Sequence, residues 1–97
     1  MKITRVNEFR AKEGKRDALL SQLRMSIPRI KVSKGCLSCR VLQHQEESNR
    51  LIIIEEWTNE EAHEAAVKAI PLSVLQETMT LVTEPPYGEN YQEMNLG

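Results

Sequence analysis

A short apolar run between polar segments constrains the fold of this 97-residue chain more than any other feature. The run Leu51–Ile54 has four consecutive apolar residues and is followed by Glu55, Glu56 and Trp57. Its length and its polar boundaries predict a β-strand whose apolar side chains point to both faces of a sheet. We therefore expect both faces of this strand to be covered.

The flanking segments give this strand its neighbours. The predicted elements are a strand over residues 2–10, a helix with Leu19, Leu20, Leu23, Ile27 and Ile30 on one face, a strand from Cys36 to about His44, a hairpin tip at residues 45–49, the strand Leu51–Trp57, a helix after Thr58, a helical piece after Pro71, and a strand from Tyr87 to about Met94. This βαββαβ order predicts one domain over residues 1–97, an α+β ferredoxin-like sandwich with helices on one face. The uncovered face would meet a second copy, so we expect a homodimer.

Two helix boundaries can be predicted from local chemistry. Pro28 lacks a backbone donor and clashes with the preceding turn, which predicts a kink or an early stop near Ile27. Thr58 and Glu61 have the spacing of a capping box, which predicts that their side chains bond the free amides at the start of the second helix.

Charge is distributed unevenly although the net charge is only −1. Residues 1–34 carry ten Lys and Arg against three acidic residues, and residues 35–97 carry three against eleven. No aromatic residues interleave with the cations, so we expect the acidic second helix to neutralise the first helix and expect no nucleic-acid partner.

The chain has no apolar run near the ~20 residues that a membrane-spanning helix needs, so no membrane partner is expected. Its start, Met1–Arg5, alternates like a strand and lacks the apolar core of a signal peptide. With two cysteines and no export signal, we expect a reducing cytoplasmic environment.

Cys36 and Cys39 would point to opposite faces of a strand, which does not suit a redox pair. A metal site would need two further ligands at suitable spacing, and the sequence does not offer them. We expect structural, reduced cysteines.

The segment Lys34–Cys39, the strand ending in Glu55, Glu56 and Trp57, and the helix start Thr58–Ala62 together resemble the antibiotic biosynthesis monooxygenase family. The usual family pattern there is Pro-Gly-Cys, a hairpin, Glu-x-Trp and a helix rich in Ala and Glu. The resemblance covers most of the chain. It implies ferredoxin-like subunits that pair into a dimeric α/β barrel, and oxidation of a small phenol or quinol without a cofactor.

Two departures from the family pattern affect the expected chemistry. Family members often carry a histidine nine residues after the tryptophan, where this chain has Ala66, and Ala69–Leu72 replaces a Ser-Pro-His-Phe motif. His63, one turn earlier, is the substitute that the chain offers. Haem-degrading relatives resemble the chain at Asn7 and Gly14, but Ala66 and Gln76 stand where they need a tryptophan and an axial histidine, so no haem is expected.

We expect a ligand pocket between the sheet and the helices. The predicted catalytic residues are Asn7 and His63, and the predicted substrate-binding residues are Trp57, Tyr91, Tyr87 and Arg40. Each has a structural alternative: a satisfied amide for Asn7, a core ring for Trp57, a flank position for His63, interface packing for the tyrosines and a surface cation for Arg40. Such a pocket would supply burial, orientation and a proton acceptor to a small aromatic ligand that itself reduces oxygen.

Two functions remain open from the sequence. One is a small cofactor-independent oxygenase. The sequence contains no dinucleotide-binding fingerprint, which fits a cofactor-free enzyme and equally fits a protein that is not an enzyme. The other is a dimer on the same fold that binds a ligand, or does other work, without oxygenase activity. The missing histidine at position 66 favours this second function. Fold alone does not decide between the two.

Overall fold

In the computed structural model, which describes residues 1–97, the order of elements is βαββααβ. The elements are β1 (Ile3–Arg10), α1 (Arg16–Lys31), β2 (Cys36–Gln43), β3 (Arg50–Trp57), α2 (Glu60–Lys68), α3 (Leu72–Leu81) and β4 (Tyr87–Tyr91). Pro71 separates α2 from α3, as the sequence predicts, because its ring cannot continue the preceding helix.

The four strands form one antiparallel sheet in the order β2-β3-β1-β4. The central pair β1 and β3 aligns Ile3 with Trp57 and Arg5 with Glu55. This topology confirms the predicted α+β ferredoxin-like fold. The last strand ends at Tyr91 rather than near Met94, so it is shorter than expected.

The two faces of the sheet differ in burial. Along β3, Leu51, Ile53, Glu55 and Trp57 are buried, whereas the alternating residues are only partly buried. We call the buried face the helix-facing side. The register places the following residues there: Ile3, Arg5, Asn7, Phe9, Cys39, Leu51, Ile53, Glu55, Trp57, Gly88 and Asn90. We call the other face, with Ile52 and Ile54, the open face, since no helix of this chain covers it.

The apolar core lies towards the hairpin end of the helix-facing side. Its buried residues are Ala11, Leu19, Leu23, Cys39, Leu51, Ile53, Leu81 and Val82. A polar clamp holds α1 to α3, because Gln22 donates to the carbonyl of Val74 and accepts a 2.7 Å bond from Thr78. The core therefore joins α1, α3 and the sheet but leaves α2 with no buried residue.

The expected stop at Ile27 is wrong, because α1 continues through Pro28 to Lys31. Pro28 removes only the bond to the carbonyl of Arg24, and both residues are exposed, so water can satisfy that carbonyl. Ile27 and Ile30 pack against the core, which stabilises the last turn despite the proline.

The expected capping box at Thr58 is also wrong. The cap of α2 is Asn59, whose Oδ1 accepts a 2.8 Å bond from the amide of Ala62. The amide of Thr58 donates instead to the carbonyl of Gly35. Asn is at least as strong a cap as Thr, so the cap moves one residue along the chain and the amide that it satisfies is that of Ala62.

A β-bulge corrects the expected orientation of the cysteines. The register shifts between Cys36 and Ser38, so Cys36 and Cys39 both pack towards the core instead of pointing to opposite faces. Both are free thiols, and burial raises the pKa of Cys39 to about 12. The neutral thiol is therefore the dominant form, as a structural cysteine requires.

The expected charge pairing between helices is wrong too. The four ion pairs are Lys2–Glu56, Arg10–Glu47, Arg16–Asp17 and Arg50–Glu47, and none of them joins α1 to another helix. Within α1, Arg16 pairs with the neighbouring Asp17, and Arg24, Arg29 and Lys31 form no ion pair. No helix is both long and apolar enough to span a membrane.

Gly35 fits β2 beneath the start of α2, and a matched pair of substitutions tests this contact. Gly35 has φ +86°, and a Cβ there would lie 2.6 Å from the Cβ of Ala62. Gly14 has a similar φ of +77°, but a Cβ there would meet nothing within 4 Å. We expect Gly14→Ala to cost about 1 kcal/mol of unfolding free energy from backbone strain alone. Gly35→Ala should cost about 1–3 kcal/mol more because of the added overlap.

Urea unfolding of the two variants measures this difference directly. Equal losses of stability in Gly35→Ala and Gly14→Ala would contradict the close packing of β2 against α2.

Candidate functional site

Three polar side chains form a buried network at the end of the helix-facing side away from the core. Glu55 accepts a 2.8 Å hydrogen bond from Nε1 of Trp57 and a 3.1 Å bond from Nδ2 of Asn7. Trp57 and Glu55 are buried, and Asn7 is partly buried. The amide predicted to need a partner therefore finds one in Glu55, on the neighbouring strand.

The carboxylate of Glu55 is held in an unusual environment. It alternates with Ile53 and Trp57 on the buried face of β3, a position that normally carries an apolar side chain. Burial raises the pKa of Glu55, while the bond from Trp57 and the charge of Arg5 act in the opposite direction. Glu55 is thus a stronger proton acceptor than an exposed carboxylate, and both of its oxygens are already bonded.

His63 lies in the first turns of α2 and contacts the network through Trp57. The two ring centroids are 5.6 Å apart, and the rings meet edge to face at 70°. Burial, and secondarily the charge of Arg5, lower the pKa of His63 despite the opposing effect of Glu64 and Glu60. The imidazole is therefore neutral at neutral pH and can accept a proton.

Arg5 links the sheet to the start of α2 by a chain of hydrogen bonds. Its Nη1 donates to Oδ1 of Asn90 at 3.0 Å, and Nδ2 of Asn90 donates to Glu60 at 3.0 Å. Arg5 is partly buried and lies directly opposite both Glu55 and Asn90 in the sheet. This chain places a cation beside Glu55 and His63.

Gly88 of β4 makes room for the side chains of Arg5 and Asn7. A Cβ at this position would overlap Oδ1 of Asn7 and the guanidinium of Arg5, which both lie over the glycine. Oδ1 of Asn7 makes no hydrogen bond within the chain. The structure thus presents a free acceptor and a cation side by side above β4.

The structure brings three of the predicted site residues together and limits the role of one. Asn7, Trp57 and His63 form one cluster, joined by Glu55 and by the edge-to-face contact of the two rings. The Trp57 ring is only 1% exposed, so it is a core side chain here. A ligand could stack on it only after a neighbouring side chain moved. In this conformation Trp57 reaches the site through its Nε1 donor.

Tyr87 and Tyr91 do not join this cluster. They pair with Glu8 and Thr4 and therefore lie on the open face, across the sheet from Asn7. The shared face expected for the two tyrosines is found, but the expected pocket shared by Tyr91 and Asn7 is not. Both phenols donate to Glu89, which raises the pKa of each tyrosine and lowers that of Glu89.

Arg40 also lies on the open face, opposite Ile54, and is exposed. It is therefore not placed to meet a ligand beside Asn7. His44 lies in the hairpin tip, where its Nδ1 accepts bonds from the amides of Glu46 and Glu47. That exposed histidine stabilises a turn.

Sequence analysis missed Glu55 and Arg5 as members of the site. Strand alternation could have indicated both. Glu55 lies two residues before the buried Trp57, and Arg5 lies two residues before Asn7, so each pair shares a face of the sheet. The missing information was the register, which sets which polar side chains meet across two strands.

A surface cavity of about 310 Å³ lies elsewhere, at the hairpin end of the sheet, and Asn7, Trp57 and His63 do not line it. Its lining includes Glu8, Leu42 and Tyr87. No three His, Cys, Asp or Glu side chains cluster so that they could hold a metal ion.

Solved structures with similar folds come from several bacteria. Rv0793 from Mycobacterium tuberculosis has a TM-score of 0.87 at 18% identity, with 98% of this chain and 97% of that chain covered. SnoaB, a cofactor-independent oxygenase from Streptomyces nogalater, has a TM-score of 0.83 at 20% identity, with coverage of 97% and 94%. SO0527 from Shewanella oneidensis has a TM-score of 0.83 at 26% identity, with coverage of 93% and 88%.

A search of curated proteins found no match. The family model for antibiotic biosynthesis monooxygenases matches residues 2–72, which include β1, the β2–β3 hairpin, Glu55, Trp57 and α2. The match thus spans most of the chain and contains the buried network described above. By this match the chain belongs to the antibiotic biosynthesis monooxygenase family.

Proposed function

We propose that this protein is a cofactor-independent monooxygenase that acts on a small phenol or quinol. The observation that carries the proposal is the network of Asn7, Glu55 and Trp57 with a neutral His63 beside it. Family membership and the structural similarity to SnoaB, a cofactor-independent oxygenase, support the same reaction type. The choice of a phenol or quinol rests on the chemistry of the side chains.

The reaction needs a substrate that can reduce oxygen. Removal of a phenolic proton gives an electron-rich phenolate, which transfers an electron to O₂ and then recombines with it at a ring carbon. Loss of water from the resulting hydroperoxide gives a quinone. A phenol and O₂ thus yield a quinone and water, with one oxygen atom incorporated and no external reductant.

In this proposal His63 accepts the phenolic proton, because its lowered pKa keeps it neutral at neutral pH. Oδ1 of Asn7 is the free acceptor that orients a substrate hydroxyl before that transfer. Glu55 fixes the Asn7 amide through Nδ2 and so directs Oδ1 over Gly88. Trp57 holds Glu55 in turn.

A substrate ring must enter between the sheet and α2. This helix has no buried residue of its own, and its displacement would expose the ring of Trp57, against which His63 packs. The apolar core lies with α1 and α3, at the other end of the sheet. Opening the site by moving α2 would therefore leave the core intact.

Ligand binding without oxidation is the alternative that two observations favour. Trp57 is fully buried, and Ala66 stands where the resemblance places a histidine. A protein of this kind would bind the same phenols near Asn7 but return them unchanged. Oxygen consumption separates the two functions.

We also propose that two copies pair through the open face into a barrel. Val6, Ile52 and Ile54 form a partly buried apolar strip on that face, and no element of the chain covers it. An uncovered apolar sheet face favours association, and a second copy is the simplest complementary surface.

Oxygen uptake with a panel of phenols, quinols and polyphenols tests the proposed function. We expect consumption of O₂ with at least one of them and formation of a quinone in equal amount. Asn7→Ala should lower kcat/KM by about 10- to 100-fold, because it leaves the substrate hydroxyl without its hydrogen-bond acceptor.

Asn95→Ala, an exposed asparagine in the C-terminal segment, is the matched control and should change nothing. Binding of a phenol without any oxygen uptake would support the non-oxygenase alternative.

The pH dependence of turnover tests His63 as the proton acceptor. Because the pKa of His63 lies below its usual value of 6.5, the neutral base persists into mildly acidic solution. We expect kcat/KM to fall only below that value as the pH decreases. His63→Ala should remove this acidic limb and lower the rate by roughly 100-fold or more. A limb that survives in His63→Ala would assign the proton to another group.

Sedimentation velocity tests the pairing. The wild type should sediment at twice the 11.1 kDa chain mass at micromolar concentration. Ile54→Glu should produce a folded single chain, since a charge would be buried in the pairing face. Val32→Glu, at a residue 84% exposed, is the control and should remain paired. A wild type that sediments as a single chain would contradict the homodimer.

A further inference from the structure

Arg5 turns away from the carboxylate that lies directly opposite it. The register pairs Arg5 with Glu55, and side chains at such positions can normally meet. No ion pair forms between them, because Glu55 accepts from Asn7 and Trp57 instead. The guanidinium extends across β4 and donates from Nη1 to Asn90.

Gly88 is what allows this conformation. Any side chain at this position would occupy the space above β4 where the guanidinium of Arg5 and Oδ1 of Asn7 now lie. These groups extend from alternate residues of β1 on one face of the sheet and together cover Gly88, so a ligand atom that contacts the guanidinium from outside would also lie near Oδ1 of Asn7. A β-strand glycine commonly marks such a close approach.

The guanidinium retains most of its hydrogen-bonding capacity. Arginine has five N–H donors, and only Nη1 of Arg5 donates to another side chain. The surrounding ionisable groups are Glu55, which is already bonded, Glu60, which accepts from Asn90, and the neutral His63. A partly buried cation with unused donors favours an anionic oxygen, which can accept two of them together.

We infer that the guanidinium of Arg5, which lies over Gly88, forms a subsite that binds an ionised oxygen, phenolate or carboxylate, on an aromatic ligand. Oδ1 of Asn7 lies beside it and accepts only from a neutral hydroxyl. The inference rests on the proposed function for the location of the ring, and it adds a charge requirement to it. Arg5 is the specificity-determining cation, in place of Arg40 on the opposite face. For a phenol, this charge also stabilises the phenolate that reduces oxygen.

Calorimetric titration in the absence of oxygen tests the subsite without relying on turnover. Two matched pairs of probes separate the sources of the charge: benzoate against methyl benzoate, and ionised 4-nitrophenol against 4-nitroanisole. We expect the wild type to bind at least one anion more tightly than its neutral partner. Arg5→Gln should weaken that anion by about 10- to 100-fold and its neutral partner by less than about threefold.

Three further variants separate binding from stability. Arg24→Gln removes an exposed cation of α1 and should leave the preference for anions unchanged. Arg5→Lys should restore part of the preference, because the charge returns without the planar fork. Gly88→Ala should reduce the preference while Arg5 is still present, and thermal unfolding monitored by circular dichroism verifies that each variant is folded.

The inference fails if the wild type shows no preference for either anion, or if the preference survives in Arg5→Gln. These outcomes are independent of the oxygenase assay. Anion binding without oxygen uptake would reject only the proposed reaction, and oxygen uptake without anion preference would reject only this subsite.

Discussion

The hydrogen bonds from Asn7 and Trp57 to the Glu55 carboxylate are the interaction on which the candidate site depends. An unpaired carboxylate at a buried sheet position would cost several kcal/mol. Two donors offset that cost, and in doing so they fix β1 against β3 and set the orientation of the only indole. They also leave Arg5 without a carboxylate partner. The arrangement of Arg5, Asn7 and Trp57 therefore follows from satisfying one buried acid.

The helix-facing side of the sheet divides stability and chemistry between its two ends. Apolar side chains from α1, α3 and the β2–β3 hairpin form the core at one end. At the other end the sheet carries polar groups, and α2 covers them although no residue of α2 itself is buried. Because the apolar core provides most of the stability, the polar end can retain the buried acid Glu55 and the cation Arg5, which has no carboxylate partner. An entirely apolar core would exclude both groups.

Element order was predictable from the sequence because it depends on local patterns. The apolar alternation of β1 and β3, the break at Pro71 and the hairpin tip all express chemistry within a few residues. The site was less predictable, because it depends on register. Tyr91 has to pair with Thr4, and Arg5 with Glu55, before it is known which side chains share a face. The bulge at Cys36 and the tolerance of Pro28 likewise depend on tertiary packing, which overrides local preference.

The position of His63 explains how the site can differ from the family pattern and keep a proton acceptor. The resemblance places a histidine at position 66, and residues three apart lie on the same helix face. Both His63 and Ala66 are partly buried, so α2 presents them to the same side of the molecule. Moving the imidazole one turn towards the start of α2 brings it against Trp57 and within the field of Arg5. Burial, and secondarily the charge of Arg5, lowers the pKa of His63 and keeps the imidazole neutral, and the same charge would favour an ionised substrate. An acceptor tuned by a cation that also binds the phenolate would need no cofactor to begin the reaction.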